Sequence, residues 1–265
     1  MQVNGRVVVV TGASSGIGWA TALHLARRGA EVIAAARTEP RLAQLAQVAA
    51  EAGHPLTTMR CDVNDEDDRA ALVAAADDRG GADVLVNNAG LGWMGIVERM
   101  PPEDVRTLFE TNVLSLIDLT QKTLPGMLER KRGHVVNVAS GISWVSFPPY
   151  SVYAATKWAV QGFTEGLRRE VIGRGVTAAT INPGPIATEF FDRSAGATGG
   201  SGTPKVGPGT GLVARAVTRS IRLRHVPGYQ VIAVPRLVGL ARIAGLPVVG
   251  RAVDVATLPN RLLGR

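Results

Sequence analysis

Short apolar runs alternate with longer amphipathic ones along most of the chain. Gly5 to Thr11 (GRVVVVT) is a continuous β-branched run, the pattern of a strand covered on both faces. A glycine-rich turn follows, then a helical pattern through Arg28 that Gly29 stops. The alternation continues with strand Glu31 to Ala36, a helix over about 40–52, strand Leu56 to Cys61 and an acidic-started helix from Asp65 to Asp78. Strand Asp83 to Val86, a long helical segment from Pro102 to Arg130, strand Gly133 to Ala139, a helix from Val152 to Val171 and strand Val176 to Asn182 complete it. Strands separated by helices of this length need right-handed crossovers, so the expected fold is α/β, a doubly wound parallel sheet with helices on both faces. The length suits one large domain over residues 1–265. Residues 190–211, rich in Gly and Ser, read as a mobile loop within it.

Composition narrows the class. With 46% hydrophobic and 19% charged residues, the chain reads as an ordinary soluble globular protein. Its single cysteine excludes an intramolecular disulfide framework and a cysteine-based zinc cluster; closing the run LTTMRC, Cys61 is expected to be a buried structural thiol. Histidines 24, 54, 134 and 225 lack metal-ligand spacing, and no metal is expected. The apolar run Val7 to Val10 is too short for a signal peptide, and no stretch reads as a membrane span, so a cytoplasmic address is expected. The net charge of +7 is unevenly placed: residues 211–265 hold nine arginines and one aspartate, whereas residues 1–210 are close to neutral.

Two stretches carry candidate chemistry. Gly12, Gly16 and Gly18 lie between the first strand and the first helix, where free backbone N–H groups and the positive end of a helix dipole favour a phosphate. That context points to a dinucleotide. At the end of the second strand, Ala35 and Ala36 offer no acid for a ribose 2′-hydroxyl, while Arg37 offers a planar cation to a 2′-phosphate; NADP(H) is therefore expected over NAD(H). Farther on, Tyr153 and Lys157 are spaced to share one helix face. An ammonium beside a phenol is expected to lower the tyrosine pKa and make it an acid/base near neutral pH. Ser140, at the end of the run VVNVAS, can bring its hydroxyl to the same place.

Taken together, TGASSGIG at 11–18, Asp62-Val63, NNAG at 87–90, Asn112, Ser140, Tyr153 to Lys157 and Pro183-Gly184 through Thr188 resemble the short-chain dehydrogenase/reductase family, in its compact subclass. The resemblance covers roughly residues 5–190 and implies a Rossmann-type fold and carbonyl–alcohol chemistry. It implies that Gly12, Ser14, Ser15, Gly16, Ile17 and Gly18 hold the pyrophosphate and adenosine ribose. Asp62 and Val63 would meet the adenine, Asn88, Ala89 and Gly90 would line the adenosine side, and Pro183, Gly184, Ile186 and Thr188 would hold the nicotinamide amide. Tyr153 would be the acid/base, Ser140 would polarise the substrate oxygen, Lys157 would bind the nicotinamide ribose, and Asn112 would hold a relay water. Tyr150 has the spacing from Lys157 seen in the family's enoyl reductases, but Pro148 and Pro149 put it before the helix, so it is read as a pocket or surface residue.

Trp93, Met94, Trp144, Val145, Phe147, Tyr150, Phe190 and Phe191 follow the strand ends that border the crevice of such a sheet, and they suggest an apolar ketone or aldehyde and its alcohol. A 3-oxoacyl-thioester reductase docked to an acidic carrier is the second enzyme reading; a non-catalytic dinucleotide sensor is a reading of another class. The basic C-terminal segment suits a solvated or oligomer-facing helix, an acidic carrier or a peripheral membrane contact, and nucleic acid ranks last for want of stacking aromatics. By resemblance, a homodimer or homotetramer is expected through segment 102–130 and the Tyr/Lys helix.

Overall fold

A computed structural model describes residues 1–146, 148–184 and 209–223. Six parallel strands form one sheet in the order β3-β2-β1-β4-β5-β6: β1 Val7–Thr11, β2 Glu31–Ala36, β3 Thr57–Arg60, β4 Val84–Asn87, β5 Gly133–Val138 and β6 Val176–Ile181. The order reverses beside β1, between β1 and β4, and an open α/β sheet has its ligand crevice at such a point, outside the carboxyl ends of the strands. The helices are α1 Gly16–Ala26, α2 Glu39–Glu51, α3 Glu66–Asp77, α4 Pro102–Phe109, α5 Ser115–Glu129, α6 Ser151–Glu170 and α7 Thr210–Arg222.

The strand alternation explains the two-sided burial. Val8 and Val10 of β1 face a layer built from Ala22 and Leu25 of α1 with Val213, Val217 and Ile221 of α7. Val7 and Val9 face Leu72, Leu119, Met127 and Leu167, from α3, α5 and α6. The inner strands β1 and β4 therefore read as apolar runs because both their faces are covered, whereas β3 (TTMR), at the sheet edge, is only partly covered. Cys61 is buried as expected, and burial pushes its thiol up to about 11, which leaves it an inert packing group. His134 is likewise structural: its ring ties β5 to Thr177 of β6 and Ser220 of α7.

Two expectations need correction. Helix α1 ends at Ala26 and not at Arg28; a turn then leads to Gly29, whose φ of +77° suits the glycine there. The single helix expected over 102–130 is interrupted by a π turn at Glu110–Leu114. There the Ser115 N–H reaches back five residues to the Glu110 carbonyl, while the Ser115 hydroxyl donates to the Thr111 carbonyl. The extra residue re-aims Asn112, with consequences described below. Phe147, Ile186, Thr188, Phe190 and Phe191, the expected loop before Gly209, and the basic segment beyond Leu223 lie outside the described residues.

Candidate active site

At the start of α1, Ser15 has extended backbone and its side chain makes no cap. The first bond within the helix is from the Trp19 N–H to the Ser15 carbonyl, so the N–H groups of the first turn point into the crevice without a side-chain cap. The turn is held by the neighbouring strand end. Thr11 Oγ1 accepts the N–H groups of Asn88 (3.0 Å) and Ala89 (3.1 Å), and the Asn88 amide donates to the carbonyls of Thr11 (2.9 Å) and Gly12 (3.2 Å). Gly12 has a φ of +65°, and a Cβ there would meet Ala89 Cα at 2.8 Å. A Cβ on Gly18 would meet the Gly12 carbonyl oxygen at 2.3 Å. Both glycines allow turn, helix and strand end to close together, and the resulting N–H cradle fits a pyrophosphate. Gly18→Ala is expected to destabilise the fold by about 1–3 kcal/mol and to weaken dinucleotide binding. A thermal melt and a fluorescence titration with NADPH would check this, and no change in either would mean that the turn relaxes freely.

Ser14 and Gly16 are buried, and Ile17 is half-buried. Arg37 lies exposed just past β2, its guanidinium 4.0 Å from Asp62, while Val63 is buried behind. Asp62 Oδ1 accepts the Asn64 N–H at 3.0 Å, fixing the carboxylate at the end of β3. Arg37 and Asp62 thus share the end of the crevice beside β2 and β3. Pro183 is buried and Gly184 half-buried after β6, and the Pro183 carbonyl accepts the Gly141 N–H at 2.8 Å.

Ser140 caps a short 3₁₀ turn, Gly141–Ser143, after β5. Its hydroxyl accepts the Ile142 N–H and is hydrogen-bonded to the Tyr153 phenol. Tyr153 sits in the first turns of α6 and is buried among Trp93, Met100, Leu108 and Ile142. The expected fall in its pKa is not found. Burial pushes the phenol above its usual range, and only the Ser140 hydrogen bond pulls it down. Lys157 is buried too: its Nζ lies 5.7 Å from the Tyr153 ring centroid and donates to the Val138 carbonyl at 3.3 Å. Burial draws the ammonium down to about 8. Spacing brings the pair together, but burial, not their proximity, sets the direction of both shifts.

Asn112 is buried, and both hydrogens of its amide are engaged, to the Leu91 carbonyl (2.9 Å) and Thr156 Oγ1 (3.1 Å). Its Oδ1 accepts the Leu91 N–H at 2.7 Å. The amide thus clamps the segment after β4 to α6, and a water here would have to be held through an oxygen of Asn112, not through its side-chain N–H groups. Sequence reasoning missed Thr11 and Thr156, which anchor Asn88 and Asn112. Thr11 stood in the quoted turn motif, whereas Thr156 had no signal beyond its place between Tyr153 and Lys157.

Of the expected pocket residues, Trp93 and Tyr150 pack in the cluster that holds Tyr153. Tyr150 is the residue just before α6, as the prolines implied, and its hydroxyl donates to Met94 Sδ at 3.5 Å. Met94 itself is exposed. Trp144 is buried beside the 3₁₀ turn, outside that cluster. The structure therefore joins Ser140, Tyr153, Lys157, Trp93 and Tyr150 at one place.

The family profile for short chain dehydrogenases matches residues 6–197. The chain is similar to the 3-oxoacyl-[acyl-carrier-protein] reductase FabG of Vibrio cholerae, 39% identical over 190 residues that cover 72% of this chain and 77% of that protein. Among solved structures it is similar to a short chain dehydrogenase/reductase from Burkholderia phymatum in complex with NAD, with a TM-score of 0.81, 26% identity and 98% of each chain covered. It is also similar to a metagenomic short-chain oxidoreductase in complex with NADP, with a TM-score of 0.73, 27% identity, and 88% of this chain and 98% of the other covered.

Proposed function

The chain belongs to the short-chain dehydrogenase/reductase family, and from that premise we propose that it is an NADP(H)-dependent oxidoreductase interconverting an apolar ketone or aldehyde and its alcohol. The observation that carries this reading is the buried Tyr153 phenol, hydrogen-bonded to Ser140, with the Lys157 ammonium over its ring. The dinucleotide, when bound, supplies or accepts the hydride. Tyr153, protonated at neutral pH, donates a proton to the carbonyl oxygen as charge develops there, and Ser140 presents a second polar group to the same oxygen. Lys157 faces the crevice end of β5, where the nicotinamide ribose would lie. Asn112 is a positioning residue in this reading, and its amide fixes the Leu91 backbone beside the pocket. Gly12, Ser14, Ser15, Gly16, Ile17 and Gly18 receive the pyrophosphate, Asp62 and Val63 border the adenine, and Asn88, Ala89 and Gly90 the adenosine. Pro183 and Gly184 border the nicotinamide.

Arg37 supports the preference for NADP(H), because no acid occupies the end of β2 and its guanidinium is exposed there. Arg37→Ala is expected to weaken NADPH binding about tenfold to a hundredfold and leave NADH within about threefold. Titration with both dinucleotides measures this, and an equal loss for both would remove the 2′-phosphate assignment. The packing of Trp93 and Tyr150 around Tyr153 favours an apolar substrate.

The likeness to the Vibrio cholerae reductase favours a second reading, a 3-oxoacyl-thioester substrate. NADPH oxidation against apolar ketones, aldehydes and a 3-oxoacyl thioester separates the two. Tight NADPH binding without turnover on any of them would instead support a dinucleotide sensor. A homodimer or homotetramer through α4, α5 and α6 completes the reading; Leu114 and Trp158 are exposed there, and sedimentation showing only monomer would remove it.

A further inference from the structure

The face formed by α1 and α7 stands apart from the active site in its charge. Residues 1–30 and 209–223 contain no aspartate or glutamate. At the end of α1, Arg27 and Arg28 are exposed. Along α7, Arg215, Arg219 and Arg222 recur at helical spacing on the outward stripe, and the opposite side packs against α1 and the sheet. The two sets of arginines form one patch. Helix α7 packs directly against α1, which brings the two sets together, and Arg28 reaches the His24 ring at 3.2 Å; the positive fields of Arg28, Arg215 and Arg27 add to burial in holding that imidazole down to about 4.

Among the described residues no carboxylate pairs with these five arginines, whereas Arg69, Arg79 and Arg132 elsewhere each meet one. Among the described residues, therefore, nothing supplies the patch with a counter-charge. It also carries apolar side chains at both ends of the same stripe: Leu212 is 43% exposed and Leu223 is 37% exposed. The Met1 ammonium adds a further positive group, donating to the Ile221 and Arg222 carbonyls at the end of α7.

We propose that the α1–α7 face docks the protein on an anionic lipid surface. Arginines that extend from a helix lying along the protein surface, flanked by leucines, match headgroup phosphates above an apolar boundary. A second copy of the chain fits poorly, because a two-fold contact would set this patch against itself. Nucleic acid would call for exposed stacking aromatics, whereas α1 and α7 hold no tyrosine or phenylalanine and their one tryptophan, Trp19, is buried. An acidic protein would neutralise the arginines but leave the exposed leucines unexplained. The sequence after Leu223 continues in the same vein, with six arginines against Asp254 and the run LVGLARIAGLPVV.

The test is flotation of the full-length protein with vesicles of phosphatidylcholine alone or mixed with phosphatidylglycerol. Binding is expected only to the anionic vesicles, with release at about 0.5 M salt as screening shortens the reach of the charges. The variant Arg215→Glu/Arg219→Glu/Arg222→Glu is expected to lose about a hundredfold or more in vesicle affinity. The neutral version, Arg215→Gln/Arg219→Gln/Arg222→Gln, should weaken binding in the same direction without placing acids at the end of α7. Arg99→Glu/Arg106→Glu/Arg174→Glu applies the same charge change to exposed arginines elsewhere and should retain binding. Unchanged NADPH affinity in every variant reports an intact fold. No binding to anionic vesicles overturns the proposal, as does binding that survives both α7 triples, which would put the contact elsewhere. Equal loss in the control triple would reduce the effect to net charge and overturn it too. Preferential capture by an acidic protein or by duplex DNA, dependent on the same arginines, would overturn it in favour of that partner.

Discussion

Tyr153→Phe is expected to lower turnover about a hundredfold to ten-thousandfold, the range that a positioned proton donor contributes. The change removes one oxygen from a buried ring that packs on Trp93, Met100, Leu108 and Ile142, so the cluster keeps its shape. The midpoint of thermal unfolding should shift by only a few degrees, because the phenol's bond to Ser140 is the main interaction lost. Dinucleotide affinity should also survive, since the phosphate turn, Arg37 and Lys157 are untouched. Single-turnover rates beside a binding titration separate these effects. Activity within about tenfold of the parent would remove Tyr153 from the acid/base role. The pH profile adds a second reading. A phenol held above its usual range stays protonated through neutral pH, so carbonyl reduction is expected to be flat there. Alcohol oxidation, which needs the phenolate, should climb about tenfold per pH unit. An oxidation plateau near neutral pH would instead mean that bound dinucleotide brings the Lys157 charge to bear on the ring.

What could be read from the sequence, and what could not, follows the range of each interaction. The inner strands were legible because their residues are covered on both faces, which leaves unbroken β-branched runs such as Val7–Thr11. The glycine turn was legible because Gly12 and Gly18 answer a local steric demand. Ser140, Tyr153 and Lys157 could be gathered because two of them share a helix face and the third ends a strand. Their electrostatics could not be read in the same way. Spacing at i and i+4 reports adjacency, but the phenol's pKa is set by burial beneath side chains from other parts of the chain, Trp93 and Leu108 among them. The π turn at Glu110–Leu114 was hidden for a related reason. One added residue hardly disturbs an amphipathic pattern, and ETNVL holds no glycine or proline to mark a break. Thr11 and Thr156 meet Asn88 and Asn112 across 77 and 44 residues, and no local pattern encodes such a bond. For Asn112, the motif located the residue, but only the fold shows that its amide hydrogens are already taken.

Lys157→Met is expected to make the dinucleotide-free protein more stable at pH 7 while lowering turnover about a hundredfold or more. Lys157 is buried, with the Val138 carbonyl and the Tyr153 ring as its polar company, and burial draws it down to about 8 from 10.5. The sign follows from proton linkage. Between about pH 8 and 10.5 the unfolded chain holds a proton on this residue that the folded chain has released, so stability rises with pH across that window. Below about pH 8 both states are charged, and the folded state bears the whole burden, about 3 kcal/mol. Methionine matches the length of the stem and carries no charge. Against the relief stand the lost bond to Val138 and the lost cation–ring contact, together about 1–2 kcal/mol. The net gain at pH 7 is then about 1–2 kcal/mol, or an increase of roughly 2–8 °C in the unfolding midpoint. At about pH 10 the wild-type lysine is mostly neutral when folded, so the advantage should vanish there or change sign. Melts at pH 7 and pH 10 test the pattern, and a methionine variant less stable at both would show that the ammonium is stabilised where it lies. A residue that weakens the empty fold yet faces the crevice beside Tyr153 has its use when the crevice is filled: the charge that burial disfavours is the one available to hold a ribose and to support the phenol during proton transfer.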